Sequence, residues 1–125
     1  YTALTIGLDY ADRAGLRERI DRRVDEMMDR GLEAEVRALL DSGVSPGCTA
    51  MQAIGYKELA AALAEGRPAE EGAEEIKLRS RQYAKRQLTW FRRNRDVRWF
   101  RWGSSPDFSQ ALAFSTETAA RCGLQ

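Results

Sequence analysis

Two short strand patterns stand at either end of a long helical stretch, and this spacing constrains the fold. Leu4, Ile6 and Leu8 alternate with small or polar residues across Thr2–Leu8, which is typical of a β-strand. A strand without a partner exposes a row of hydrogen-bonding groups. We therefore predict that this strand belongs to a sheet supplied by sequence outside the chain, with Val97–Trp102 as the internal candidate partner.

Helical periodicity and helix-end signals predict five helices. They are expected from Asp12 to about Arg30, about Leu32 to Asp41, about Thr49 to Ala64, Pro68 to about Arg93, and Ser104 or Ser105 to about Arg121. We predict a mainly α fold of about five helices with one or two short strands. It is divided into a core part, residues 1–102, and a helical tail, residues 103–125.

The basic residues are concentrated in one block, although the formal net charge is only +1. Residues 77–101 contain ten lysines and arginines and one acidic residue, Asp96. Such a block is typical of an anion-binding surface, with phosphate the leading candidate, but also of a solvated helix face. Charge alone leaves both interpretations open.

Several classes of protein are excluded by what the chain lacks. It has no histidine and two distant cysteines, which excludes a zinc site and a His-based triad, and we expect no metal ligands in it. No apolar run approaches about 18 residues, so we expect a cytoplasmic protein with no membrane segment. Because the chain begins at Tyr1 rather than methionine, we expect a piece of a longer protein.

Two arginines of the first helix are candidates for anion binding. Arg19 and Arg23 are four residues apart and share a helix face. Arg23 lies near enough to the apolar stripe to be partly buried, where a permanent charge needs a carboxylate or a bound anion. The sequence leaves both partners open.

Other side chains have two interpretations. Gln87 falls within the apolar arc of the fourth helix, either as a core glutamine or beside a cavity. Tyr83 and Trp90 are expected in the core rather than as base-stacking platforms. Gly55 interrupts a helical pattern at a cost of about 1 kcal/mol relative to alanine, which indicates tight packing or close approach of a ligand.

Four segments in collinear order resemble the tRNA dimethylallyltransferase family, carboxy-terminal part, bacterial type. They are Leu16–Met27 continued by Gly31–Val36, Ala50–Lys57, Ser80–Arg92, and Val97–Phe100. The resemblance covers about residues 2–101. Ser80 stands where the family has threonine, which keeps the hydroxyl. The family's Gly-rich phosphate loop, catalytic aspartate and helical tRNA-clamping insertion have no counterpart in this sequence.

The resemblance implies the carboxy-terminal portion of an α/β P-loop-type enzyme. That enzyme would transfer a dimethylallyl group from dimethylallyl diphosphate to N6 of the adenosine beside the tRNA anticodon, with Mg²⁺ held by the missing amino-terminal half. Arg19 and Arg23 would face the diphosphate, and Gln87 would border the reaction channel. The residues implied to contact either the neighbourhood of the flipped-out adenosine or the anticodon loop are Gln52, Ala53, Ile54, Gly55, Tyr56 and Lys57. Those implied to hold phosphates of RNA or donor are Arg81, Lys85, Arg86 and Arg92.

Two other functions fit the same residues. The chain could be a non-catalytic basic helical RNA-binding domain, whose tRNA affinity would depend on salt but not on the donor. It could also be a helical protein-interaction module whose basic face meets an acidic partner.

Overall fold

The computed structural model describes residues 2–124, which form five α-helices, one 3₁₀ turn and two β-strands. In chain order these are β1 (Thr5–Tyr10), α1 (Arg13–Asp29), α2 (Leu32–Asp41), the 3₁₀ turn Thr49–Gln52, α3 (Tyr56–Ala64), α4 (Ala69–Arg92), β2 (Val97–Trp102) and α5 (Phe108–Arg121). The predicted mainly α fold with one or two short strands is confirmed. No helix within the described residues is long and apolar enough to cross a membrane.

β1 and β2 form a parallel two-stranded sheet, so the internal candidate is the partner of the first strand. The register runs from Thr5 opposite Val97 to Tyr10 opposite Trp102. The predicted strand bounds, Thr2–Leu8, were wrong. The strand extends only over the residues that pair with β2, Thr5 to Tyr10, whereas the alternation of apolar residues begins and ends earlier.

Residues 2–18 and 85–124 form one compact unit, and residues 19–84 form a second. In the first unit, aromatic rings lie on the sheet and on α5, from its first residue, Phe108, to Phe114 at its middle. Their ring centroids are separated by 5.8 Å for Tyr10–Trp102, 5.7 Å for Trp102–Phe108 and 5.5 Å for Phe100–Phe114. α5 therefore packs within this unit, while the division into a core part and a tail at residue 102 stays a prediction.

The unit formed by residues 19–84 is built around an aliphatic core. Val36 and Leu59 have no exposed surface, and Ile76 is 1% exposed. The buried cluster consists of Val24, Leu32, Val36, Met51, Leu59, Ala60, Ala69, Ala73 and Ile76. In α4 the buried residues all lie in its first two turns, from Ala69 to Ile76. The remainder of this helix therefore presents its side chains largely to solvent.

The predicted continuous helix from Thr49 to Ala64 is wrong. The 3₁₀ turn ends at Gln52, Ala53 is extended with φ −62° and ψ 146°, and Gly55 has φ 107° and ψ −57°. Glycine enters this positive-φ region without the strain that a Cβ would cause. Gly55 is therefore the N-cap residue of α3, where the backbone changes from the extended to the helical conformation, and not a packing position inside a helix.

The start of α5 also differs from the prediction. Asp107 is its N-cap, and its carboxylate accepts a hydrogen bond from the Gln110 backbone N–H at 3.0 Å. Ser104 and Ser105 were the predicted caps; Pro106 disfavours a helical backbone at Ser105 and so argues against Ser104, while the capping hydrogen bond is made by Asp107 and not by Ser105. The helix consequently begins beyond the proline and ends at Arg121, where it was predicted to end.

Candidate functional site

Arg19 and Arg23 lie on one face of α1, and both side chains are exposed. The prediction that Arg23 is partly buried is therefore wrong. The buried surface of α1 is limited to Val24, and the neighbouring Arg23 remains exposed. Among residues 2–124 neither arginine has an ion-pair partner. The two guanidinium groups together present a cationic surface that no carboxylate of the described chain neutralises.

Residues 52–57 form an irregular, largely exposed connection into α3. The Gln52 side-chain amide donates a hydrogen bond to the Pro46 carbonyl at 3.0 Å, which ties the turn to the preceding loop. Ala53 and Ile54 are exposed, Ile54 by 41% of its surface. Lys57 is exposed as well. The segment therefore exposes one large apolar side chain, Ile54, and one lysine, Lys57. The hydrogen bond of Gln52 to Pro46 fixes the turn that precedes them.

Gly55 and Tyr56 are anchored by two carboxylates. The Gly55 N–H donates to Glu58 Oε2 at 2.8 Å, and Glu58 is only 8% exposed. The Tyr56 hydroxyl donates to Glu35 Oε1. This hydrogen bond, together with desolvation and the Glu35 charge, raises the pKa of Tyr56 above its ordinary value. Both contacts fix where α3 begins.

The cations of α4 fall into two groups, and the first group is neutralised internally. Arg81 Nη1 donates to both carboxylate oxygens of Asp21, at 2.8 and 2.9 Å. Lys77 Nζ lies 2.8 Å from Asp25, one turn further along α1. The two pairs link α1 to α4 at equal spacing along each helix. We therefore assign Arg81 a packing contact in addition to its predicted phosphate contact.

Arg92 also faces a carboxylate. Its Nη2 lies 3.5 Å from Oδ2 of Asp9, which is 6% exposed at the carboxyl end of β1. The other Asp9 oxygen accepts the Tyr10 backbone N–H at 2.8 Å. Sequence reasoning missed Asp9 and Asp21 as partners, because a carboxylate distant in sequence gives no local signal.

A second group of cations, formed by two residues of α4 and by Arg93 just after its end, has no acidic partner within the described part of the chain. Lys85, Arg86 and Arg93 line an open groove of about 320 Å³ together with Thr89 and Trp90. Lys85 and Arg86 were predicted from the basic signature, whereas Thr89 and Arg93 were not among the predicted site residues. Helical projection of the sequence places Arg93 on the same flank as Arg86, since it lies seven residues further along the chain.

Three side chains of α4 are exposed, two that were expected in the core and one for which the core was one of two interpretations. Tyr83 is 48% exposed, Trp90 is 64% exposed, and Gln87 is exposed and has no hydrogen-bond partner for its amide among residues 2–124. The core interpretation is therefore wrong, because the described chain leaves much of the apolar arc of this half of α4 uncovered. The cavity interpretation of Gln87 stays a prediction.

The predicted site residues belong to different compact units. Arg19, Arg23, residues 52–57 and Arg81 lie in the unit formed by residues 19–84, whereas Lys85, Arg86, Gln87 and Arg92 lie in the other. The structure brings Lys85 and Arg86 into one groove and Arg19 and Arg23 onto one face. In the described chain, no three acidic or cysteine side chains gather to form a metal site.

Comparison with known sequences gives one consistent result. Residues 1–94 match the profile of the family described as IPP transferase. The chain is 55% identical over 101 residues to the tRNA dimethylallyltransferase of Bacillus licheniformis, covering 80% of this chain and 31% of that protein. It is 51% identical over 100 residues to the tRNA dimethylallyltransferase of Bacillus cytotoxicus, with the same coverage.

Solved structures agree with this result. The structure resembles the full-length tRNA isopentenylpyrophosphate transferase of Bacillus halodurans with a TM-score of 0.85 and 38% identity, over 96% of this chain and 39% of that one. It resembles the tRNA isopentenylpyrophosphate transferase of Staphylococcus epidermidis with a TM-score of 0.83 and 38% identity, over 97% and 39%. The chain thus spans about a third of the proteins it matches.

Proposed function

The chain belongs to the IPP transferase family, and on this premise we propose that it forms part of an enzyme that prenylates tRNA. The reaction moves a dimethylallyl group from dimethylallyl diphosphate to N6 of the adenosine 3′-adjacent to the anticodon. The observation that carries the proposal is the 55% identity to a tRNA dimethylallyltransferase. Family membership confirms the resemblance stated from the four sequence motifs.

Arg19 and Arg23 are assigned to the diphosphate. As the bond between the dimethylallyl carbon and the bridging oxygen breaks, negative charge grows on the leaving diphosphate, and fixed cations stabilise that charge. Both guanidinium groups are exposed on one face of α1 without an ion-pair partner among residues 2–124. Their N–H donors are therefore available for phosphate oxygens.

The remaining cationic residues are assigned to RNA. Lys85 and Arg86 line an open groove without acidic partners in the described chain, which supports phosphate contact. Residues 52–57 are assigned to the anticodon stem-loop, with Lys57 as their exposed cation. Arg81 and Arg92 would share their guanidinium groups between phosphate and a carboxylate. Gln87, exposed beside Arg86, is assigned to the border of the reaction channel.

The transfer reaction is assigned to the whole enzyme, located in the cytoplasm, and not to these residues alone. The chain spans 31% of the Bacillus licheniformis relative, and the family's P-loop, catalytic aspartate and Mg²⁺ ligands are expected in the other part. Mg²⁺ prefers one or two carboxylates together with substrate phosphates. Residues 2–124 gather no cluster of acidic side chains for it, so no step of the mechanism is assigned to the metal.

A chimera tests the proposal. This chain replaces the matching segment of the Bacillus licheniformis relative, and transfer of labelled dimethylallyl groups to tRNA is measured for the chimera and for the 125-residue chain. We expect transfer by the folded chimera and none by the chain alone. A folded, inactive chimera would contradict the proposal. Transfer by the chain alone would show that the second part of the enzyme is not needed.

Point variants of the chimera test the arginine assignment. Arg19→Ala and Arg23→Ala should each lower kcat about 100-fold, the usual effect of removing one donor to developing negative charge. Arg17→Ala is the matched control, because Arg17 is an exposed arginine of the same helix, about 160° around the axis from Arg19. Equal losses for all three variants would mean that the helix contributes general charge rather than specific contacts.

A further inference from the structure

The groove on the carboxy-terminal half of α4 has a composition that phosphate binding does not explain. It is lined by Lys85, Arg86, Thr89, Trp90 and Arg93 and has a volume of about 320 Å³. At 1.5 Å per residue the part of the lining that belongs to α4, from Lys85 to Trp90, extends about 7.5 Å along the helix, and Arg93 lies just after the helix end. Three cations would suffice for phosphates, yet a large aromatic side chain lies among them.

Trp90 is the unusual member of this groove. It is 64% exposed, although tryptophan is among the residues with the largest surface to bury. Its ring is in edge-to-face contact with Phe91, at 4.9 Å between centroids and an interplanar angle of 89°. The indole is therefore supported by a neighbouring ring while much of its surface stays open to the groove and to solvent.

The cations around Trp90 also have no carboxylate partner within the described residues. Arg81 and Arg92, on the same helix, each have a carboxylate partner. Lys85, Arg86 and Arg93 have none among residues 2–124. Arg79 of α4 has no ion-pair partner either, but it does not line the groove; the three cations that do line it all lack a counterion within the described residues.

An aromatic platform flanked by unpaired cations has a well-defined ligand class. Unpaired nucleobases stack on exposed aromatic rings while lysine and arginine contact the flanking phosphates. A base-paired duplex keeps its bases stacked internally and offers no free face, and a diphosphate donor has no base at all. We propose that this groove binds an unpaired nucleotide of the substrate RNA, with its base stacked on Trp90 and its phosphates held by Arg86 and Arg93.

This inference deepens the proposed function, on which it rests for the identity of the RNA. It distinguishes the groove from Arg19 and Arg23, which are assigned to the diphosphate. It also replaces the core interpretation of Trp90 with a binding role. Because the contact is made by a base, the affinity that depends on Trp90 is lost when the base is removed and the phosphate is kept.

The test measures binding of the 125-residue chain to two RNA hairpins that carry an anticodon-type loop, one intact and one with abasic loop nucleotides. Trp90→Ala should weaken binding to the intact hairpin by about 5- to 150-fold, which is the usual contribution of one stacked base. It should leave binding to the abasic hairpin unchanged, and Trp90→Phe should restore most of the affinity. Arg93→Gln should weaken both hairpins alike and lower the salt slope by about one.

Phe108→Ala is the control, since Phe108 is another exposed aromatic residue, 71% exposed, outside the groove. Circular dichroism checks that each variant is folded. The inference is overturned if the wild-type chain does not bind the hairpin, or if Trp90→Ala binds both hairpins like the wild type. It is also overturned if Phe108→Ala loses as much affinity as Trp90→Ala. Since the assay needs no donor and no turnover, its outcome is independent of transfer by the chimera.

Discussion

Replacing Gly55 by alanine tests whether backbone conformation, and not packing, requires glycine at the start of α3. Gly55 has φ 107° and ψ −57°, outside the regions that L-residues ordinarily occupy. An added Cβ would have room, because its nearest neighbours, Leu32 Cδ2 and Met27 Cε, would be 3.8 Å away. The cost of Gly55→Ala should therefore arise from strain alone.

The size of the effect follows from two opposing contributions. Holding a non-glycine residue in such a sparsely populated conformation costs about 1–3 kcal/mol. Alanine lowers the entropy of the unfolded chain relative to glycine, which returns about 0.4–1 kcal/mol. Taking the middle of each range, the net loss in the free energy of unfolding should be about 1.3 kcal/mol, and the extremes of the two ranges limit it to about 0–2.6 kcal/mol. If the chain relaxes, the strained residue also displaces the Gly55 N–H from Glu58, leaving a buried carboxylate without this donor.

Urea unfolding followed by far-ultraviolet circular dichroism measures this loss. Gly103→Ala is the control, because Gly103 has no positive φ and an added Cβ would meet nothing within 4 Å. We expect that variant to be as stable as the wild type or slightly more stable. If Gly55→Ala were as stable as Gly103→Ala, the positive φ would not be a requirement of the fold, and backbone strain would not account for the glycine at this position.

Two further predictions concern the carboxylate contacts. Asp21→Asn should lower the free energy of unfolding by about 0.5–1 kcal/mol, since its pair with Arg81 is part-exposed. It should also increase the salt dependence of hairpin binding, measured by titration, because the released Arg81 can contact RNA phosphate; an unchanged salt dependence would contradict the phosphate assignment of Arg81. Because the pKa of Tyr56 is raised by Glu35, its contribution to stability is complete below the ordinary pKa of 10.0 and is lost as pH rises through the raised value. Tyr56→Phe should remove from an absorbance titration a tyrosine that ionises above its ordinary pKa, and should flatten that alkaline loss; an unchanged titration would contradict the assignment.

The helices and strands were largely predictable because their signals are local. α2 and β2 have the predicted bounds, and α4 begins after Pro68 as expected. Helical spacing also placed Arg19 and Arg23 on one face. The interruption before α3 was missed because the apolar residues around Gly55 have helical spacing in either case. The spacing does not show whether the glycine lies inside a helix or caps the start of one.

The candidate site was only partly predictable, because the sequence shows which residues are charged but not which of them form ion pairs in the folded chain. Arg81 and Lys85 belong to one basic block in the sequence, but Arg81 is paired with Asp21, 60 residues away, and Lys85 is unpaired in the described chain. Trp90 and Gln87 occupy an apolar arc by periodicity, yet both are exposed. An apolar arc predicts burial only if another element covers it.

The sequence by itself determined the family, the helical periodicity and the position of the basic block, since each depends on residue identity and spacing along the chain. The tertiary structure decided which strand pairs with β1, which cations are neutralised, and which aromatic ring is left open beside Arg86 and Arg93. The physical reason is that ion pairs, strand pairs and burial are formed between residues distant in sequence. Their partners exist only once the chain has folded.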